Sequence, residues 1–295
     1  MDPRLAHRSF ASVIGAVALR GPVAWQGARL RSRDRAWNSP GLPRASRERP
    51  NGFVPAPDPR GELGGLLARH APRGAPPALP PESLRELADG GSTPVRAVVV
   101  VGDLRMSGLV LRESVSPSLY ARFLVGFTEA VRGLASDLGA WFDKFTGDGF
   151  VVFWLYPDEA NLPTDAVPLF CRSVLPSSEL LVANLKRTSR NFPVGVGLAL
   201  GLDAGPCELV RVGEAITLVG SPIVGASRMV AGARAGEAVV NVGLGGSFER
   251  DLERLEAAGI LFQRTVVRTK EFPGGQEAYR MQFARTRPPP DGPPA

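Results

Sequence analysis

The chain is short of the residues that most often do chemistry unaided. Its 295 residues include two cysteines, Cys171 and Cys207, and two histidines, His7 and His70. The cysteines form no Cys-x-x-Cys pair, which argues against a disulfide framework or a thiolate zinc site. Two buried free thiols in a reducing cytosol is the plain reading. Both histidines fall in a low-complexity N-terminal stretch, so no Ser-His-Asp arrangement is available. No uninterrupted apolar run reaches the ~18 residues of a spanning helix. Lysine is missing from residues 1–94, which hold 14 Arg against 8 acidic residues, whereas residues 95–295 hold 21 basic and 21 acidic residues. The net charge of +6 and the pI near 10.0 therefore belong to the first third of the chain. The near-neutral remainder has no basic patch interleaved with aromatics, so a nucleic-acid-binding domain is not indicated.

Residues 1–92 are rich in Arg, Ala, Gly and Pro and show little hydrophobic periodicity. Such a segment buries too little apolar surface to offset its ordering entropy, and it is expected to be a disordered tail or the product of a start codon assigned too early. Pro-Pro at 76–77 and 80–81 marks a linker, and Pro80-Pro81-Glu82-Ser83 predicts a short helix to about Leu87. Phe10 to Leu19 resembles a weak signal-peptide core, ended by Arg20 with no clear cleavage site after it. The expected location is cytoplasmic. Residues 93–284 form the expected folded domain, and the Pro-rich residues 285–295 a second disordered tail.

Within the domain, Arg96 to Gly102 reads as a buried strand and Pro117 to Leu138 as an amphipathic helix, with Leu119, Phe123, Phe127, Val131 and Leu134 at helical spacing. Trp141 to Phe145 and Phe150 to Leu155 read as a hairpin, and Pro168 to Leu185 as a second helix. Pro193 to Asp203 reads as a strand, Pro206 to Val212 with Ala215 to Val219 as another hairpin, and Pro222 to Ala233 as a helix. A strand at Glu237 to Asn241, a helix within Leu244 to Gly259 and a closing strand pair, Phe262 to Lys270 with Gln276 to Gln282, complete the order. The sequence β-α-β-β-α-β followed by further β-β-α-β units predicts an α+β fold: a ferredoxin-like βαββαβ core, mostly antiparallel, with helices on one face.

The chemistry concentrates at two places. Asp143-Lys-Phe-Thr-Gly-Asp148-Gly-Phe-Val puts a Gly-Asp-Gly tip between two apolar arms, and a tight turn of that kind presents one carboxylate and little else. Asp103 ends the valine run Val98 to Val101 and precedes Leu-Arg-Met-Ser-Gly. Two carboxylates on strand ends, one with Lys144 nearby, suit a polyanion held by divalent metal, and oxygen-only ligands suit Mg or Mn. Taken singly, each residue has a structural alternative. Asp148 can be a turn residue, Asp103 a helix N-cap, Lys144 a solvated strand lysine and Arg228 a surface helix arginine.

Taken together, these segments resemble the catalytic domain of the class III nucleotidyl cyclases. Val-Val-Gly-Asp103-Leu-Arg-Met-Ser-Gly resembles the family's strand-Asp-Ile-x-Gly segment, and Lys144-Phe-Thr-Gly-Asp148 its Lys-x-x-Gly-Asp. Gly220-Ser-Pro-Ile-Val-Gly-Ala-Ser-Arg228-Met resembles its Gly-x-x-Val-Asn-x-Ala-x-Arg-Leu helix. The Gly-rich strand Val194-Gly-Val-Gly-Leu with Asp203-Ala-Gly205, and Lys270 in the closing strand, complete the match over about residues 95–281.

The resemblance implies a homodimer with its active sites at the interface and two Mn or Mg ions per site. Asp103, the Leu104 carbonyl and Asp148 would hold the metals. Lys144 and Thr217 would read the base, Arg228 would stabilise charge on the α-phosphate, and Lys270 would bind the triphosphate. Asp103, Asp148 and Lys144 would come from one subunit, Thr217 and Arg228 from the other. One metal would favour ionisation of the ribose 3′-hydroxyl and the other would neutralise pyrophosphate. The sequence departs from the family where Val224 replaces the ribose-holding Asn. The phrases around Asp148 and Arg228 are most similar to the pyrimidine cyclases of bacterial Pycsar antiphage systems. That resemblance implies conversion of UTP, or CTP, to a cyclic nucleotide that activates a downstream effector. Lys144 with Thr217 is also compatible with an adenylate cyclase, and the missing Asn with an inactive nucleotide-sensing module.

Overall fold

The computed structural model describes residue 79 and residues 81–213, 215–269 and 272–283. The signal-like stretch, most of the N-terminal tail, Lys270 and the C-terminal tail lie outside them.

Helix α1 (Pro81–Ala88) leads into strand β1 (Ser92–Arg105), then α2 (Ser107–Glu113) and α3 (Pro117–Asp137). Strands β2 (Trp141–Phe145) and β3 (Gly149–Leu155) precede α4 (Ala166–Arg187), β4 (Gly197–Val212) and β5 (Ala215–Val219). Helix α5 (Ser221–Gly232), β6 (Ala238–Asn241), α6 (Val242–Glu249), α7 (Leu252–Ala257), β7 (Ile260–Val267) and β8 (Gln276–Phe283) complete the domain. The eight strands form one sheet in the order β2-β3-β1-β4-β6-β8-β7, with β5 added to the end of β4. Only the β4–β6 pair is parallel. The architecture is α+β, as the element order predicts.

The expectation of helices on one face does not hold. Side chains alternate across a strand, so Val98 and Val100 point to one face of β1 and Val99 and Val101 to the other, and all four are buried. One face packs beneath α3, α4 and α6 through Leu124, Phe127, Phe170, Val174 and Phe248. The other packs beneath α1 and α5 through Leu87, Ala226, Met229 and Val230. A continuous valine run is what a strand covered on both sides requires. The ordered chain also reaches upstream of residue 93, since Leu79 and Leu87 are buried against this second face.

Two predicted strands merge into the 16-residue β4, despite Pro206. One edge of β4 pairs with β1 along nearly its whole length. On the other edge β6 pairs with residues 200–202 and β5 with 208–212. Pro206 falls in the gap between those two partners, where a missing N–H costs no ladder bond. Helix α2 was not expected. It is short, has no side-chain cap, and is entered through Met106 at φ 64°. The segment Glu159–Arg187 is apolar and long enough to cross a membrane by composition, but half of its most apolar window is buried inside the fold. It therefore reads as a core helix.

Candidate active site

Asp103 lies two residues from the end of β1, opposite Gly149 of β3 and Ala199 of β4. Asp148 sits in the turn between β2 and β3. Thr146 N–H donates to the Gly149 carbonyl at 2.9 Å, closing that turn, and Gly147 takes φ 95°, a conformation that favours glycine. The turn is tied to β1 by Leu104 N–H, which donates to the Asp148 carbonyl at 3.1 Å. Glycines make the approach possible. A Cβ on Gly149 would stand 2.2 Å from the Gly102 carbonyl oxygen, and one on Gly102 would stand 2.5 Å from the Phe150 ring. The two aspartates are thus brought to one end of the sheet by backbone contact.

The Ser107 hydroxyl donates to Asp148 Oδ2. Arg105 Nη1 lies 2.9 Å from Asp103 Oδ2. Burial pushes the Asp103 carboxyl above its ordinary range, Arg105 pulls it back, and the neighbouring charge of Asp148 adds to the rise. Tyr120 is raised as well, by burial first and then by Asp148, which places its phenol near the same carboxylate.

Two like charges held this close are relieved by a cation. The donor set is oxygen only, which suits a hard divalent ion. No cluster of three or more His, Cys, Asp or Glu side chains suited to a metal occurs among the described residues. An ion held by the two carboxylates would need backbone, phosphate and water oxygens to complete its shell, the usual arrangement for Mg.

Lys144 and Thr217 also meet. Lys144 Nζ donates to Thr217 Oγ1 at 3.1 Å and lies 3.4 Å from the buried Asp143 carboxylate. Expected from different subunits, the two residues are hydrogen-bonded within one chain, where β5 lies in contact with β2.

Arg228 stands on α5, its guanidinium 5.3 Å above the Phe272 ring centre. The helix lies close to the sheet because both surfaces are small. A Cβ on Gly201 would stand 2.1 Å from the Ala226 carbonyl oxygen, and one on Gly225 would stand 1.8 Å from Asp203 Oδ2. Asp203 is buried, accepts from Ala204 N–H at 2.8 Å and from the Asn241 side chain, and burial holds its carboxyl above the ordinary range. Val224 is exposed one turn before Arg228, on the same face. Sequence reading assigned no role to Ser107, Arg105, Tyr120 or Asp203. A cavity of about 950 Å³ between α4 and the ends of β4 and β8 is lined by none of the candidate residues.

No family model matches the sequence, and no curated protein matches it. Solved structures do. The adenylyl cyclase CyaB from P. aeruginosa superposes with a TM-score of 0.53 at 18% identity, covering 66% of this chain and 97% of that one. The fold is that of a class III cyclase domain. The guanylate cyclase domain of RhGC from Catenaria anguillulae, solved in complex with GTP, superposes on this cyclase fold with a TM-score of 0.51 at 15% identity, covering 65% and 100% of the two chains. The catalytic core of a rhodopsin-guanylyl cyclase with converted specificity, in complex with ATPαS, gives 0.50 at 16% identity over 65% and 98%. Nearly the whole of each cyclase domain thus has a counterpart in the ordered part of this chain.

Proposed function

We propose that the protein is a nucleotidyl cyclase that converts UTP, or CTP, to a 3′,5′-cyclic nucleotide and pyrophosphate, working as a homodimer in antiviral signalling. The observation that carries the reading is that Asp103, in register with Gly149, and Asp148, whose backbone carbonyl accepts from Leu104 N–H, share one end of a sheet with the cyclase fold. The resemblance of the phrases around Asp148 and Arg228 to those of the pyrimidine cyclases supports the pyrimidine branch.

In the reaction the ribose 3′-oxygen attacks the α-phosphorus. The O3′–Pα bond forms, the bond from Pα to the bridging oxygen breaks, the hydroxyl proton is lost to solvent, and pyrophosphate departs. Asp103, Asp148 and the Leu104 carbonyl would hold two Mn or Mg ions, which when bound neutralise the triphosphate and acidify the 3′-hydroxyl. Ser107 keeps the Asp148 carboxylate turned toward the site. Lys144 and Thr217 offer an ammonium donor beside a hydroxyl that accepts, matching the O4 acceptor and N3–H donor of uracil. Arg228 from the partner subunit stabilises charge developing at the α-phosphate, and Lys270, outside the described residues, is proposed for the triphosphate. Adenine, with N1 beside its amino group, also fits the Lys144–Thr217 pair, and this favours adenylate cyclase as the second reading.

The test is incubation of the full chain with Mn and each of ATP, GTP, CTP and UTP, with products identified by mass spectrometry. Cyclic UMP or cyclic CMP, lost in Asp103→Asn and Asp148→Asn, is the expected result. Cyclic AMP alone moves the assignment to the second reading, and no product from any of the four refutes both.

A further inference from the structure

Arg105 follows Asp103 by two residues and so projects from the same face of β1. One nitrogen, Nη1, holds Asp103 Oδ2 at 2.9 Å, and the side chain is only 24% exposed. Its Nε and Nη2 are buried with no hydrogen-bond partner among the described residues. A guanidinium is a rigid fork of five donors, and burying part of that fork unpaired is costly. The position therefore makes physical sense for a cation that finds a second set of acceptors in another state. A nucleoside triphosphate, rich in acceptor oxygens, supplies them at this point of the fold.

We propose that Arg105 is a tethered counter-ion: it neutralises Asp103 in the metal-free protein, is displaced by the entering divalent cation, and then turns its unpartnered N–H donors to phosphate oxygens of the substrate. The inference rests on the reading of Asp103 and Asp148 as metal ligands. Its long side chain can leave Asp103 by rotation about its own bonds, with β1 fixed. Metal and nucleotide then favour the same rearranged state, so each raises the affinity of the other. An Asp103–Arg105 pair formed about nine-tenths of the time lowers the apparent metal affinity about tenfold.

The experiment is a titration of the full chain with Mn²⁺ alone, free ion being followed by electron paramagnetic resonance, in wild type, Arg105→Gln, Arg105→Lys and Asp103→Asn. Arg105→Gln is expected to bind Mn²⁺ about tenfold more tightly than wild type. Arg105→Lys, which keeps the charge but lacks the reach for the 2.9 Å contact, is expected to bind about threefold more tightly. If Arg105→Gln fails to fold, Arg105→Lys decides by itself. Loss of binding in Asp103→Asn with unchanged or weaker binding in the Arg105 variants overturns the counter-ion and leaves the metal ligands standing. Wild-type Mn²⁺ affinity in Asp103→Asn overturns the metal reading, and the counter-ion falls with it.

Discussion

Gly149→Ala isolates the contact that brings the two aspartates together. The added Cβ would stand 2.2 Å from the Gly102 carbonyl oxygen and 2.9 Å from Thr146 Oγ1. The first neighbour is backbone in a strand paired on both sides, so the β2–β3 turn has to move, by about 1 Å to regain ordinary contact. That movement strains or breaks the 3.1 Å bond from Leu104 N–H to the Asp148 carbonyl. Overpacking costs about 1–3 kcal/mol and a lost backbone hydrogen bond about 0.5–1.5 kcal/mol. Together they give about 2–4 kcal/mol, or roughly 5–15 °C in Tm for a domain of this size. Catalysis should suffer comparably, because a misplacement of about 1 Å in a reacting constellation costs about a hundredfold, or about 2.7 kcal/mol. Gly133→Ala is the control. It sits within α3 with nothing within 4 Å of an added Cβ and should raise stability by about 0.5–1 kcal/mol through helix propensity. Scanning calorimetry and a Mn-dependent cyclisation assay by mass spectrometry read both effects. A Gly149→Ala protein that melts within a degree of wild type and keeps full turnover would refute the packing argument.

Ser107→Ala leaves Asp148 Oδ2 without its hydroxyl donor and should lower kcat about tenfold or more with little change in Tm. An unchanged kcat would show that the turn alone orients the carboxylate. Asp203 carries a pKa raised by burial, so its contribution to stability is fully present below the unfolded value and is lost as pH rises through the folded one. Tm should accordingly fall from about pH 4 upward in wild type relative to Asp203→Asn, and parallel curves would contradict the assignment. Met106 holds φ 64° while 44% exposed. Met106→Gly should stabilise the fold by about 0.5–1 kcal/mol, checked by urea denaturation. Thr217→Ala removes the acceptor of the 3.1 Å bond from Lys144 and should blunt discrimination between bases, measured as the ratio of kcat/KM for UTP to that for ATP.

Much of this arrangement was legible because it is local. The helical spacing of Leu119, Phe123, Phe127 and Val131 marks α3, and the Gly-Asp-Gly tip marks a hairpin whose turn holds Asp148. What escaped depends on partners distant in the chain. Ser107 gains its role only from a turn 41 residues away. Pro206 reads as a strand boundary until the gap between β6 and β5 is known. The Lys144–Thr217 bond spans 73 residues, and nothing in either neighbourhood announces that both side chains meet within one chain. The second packed face was legible in principle, since four consecutive buried valines leave β1 no solvent side. Reading the helices as one layer overlooked it.

The register of β1 also bears on how the protein is made. Val98 pairs with Ala204 on one side and with Trp154 on the other. A ribosome adding about 5–20 residues per second needs roughly 5–20 s to deliver the second partner after the first strand has emerged. Throughout that interval β1, with its four consecutive valines, has at least one open hydrogen-bonding edge, the condition that invites pairing with other nascent chains. Yield in a heterologous host should therefore respond more to the rate of synthesis and to holdase chaperones than to changes at the surface.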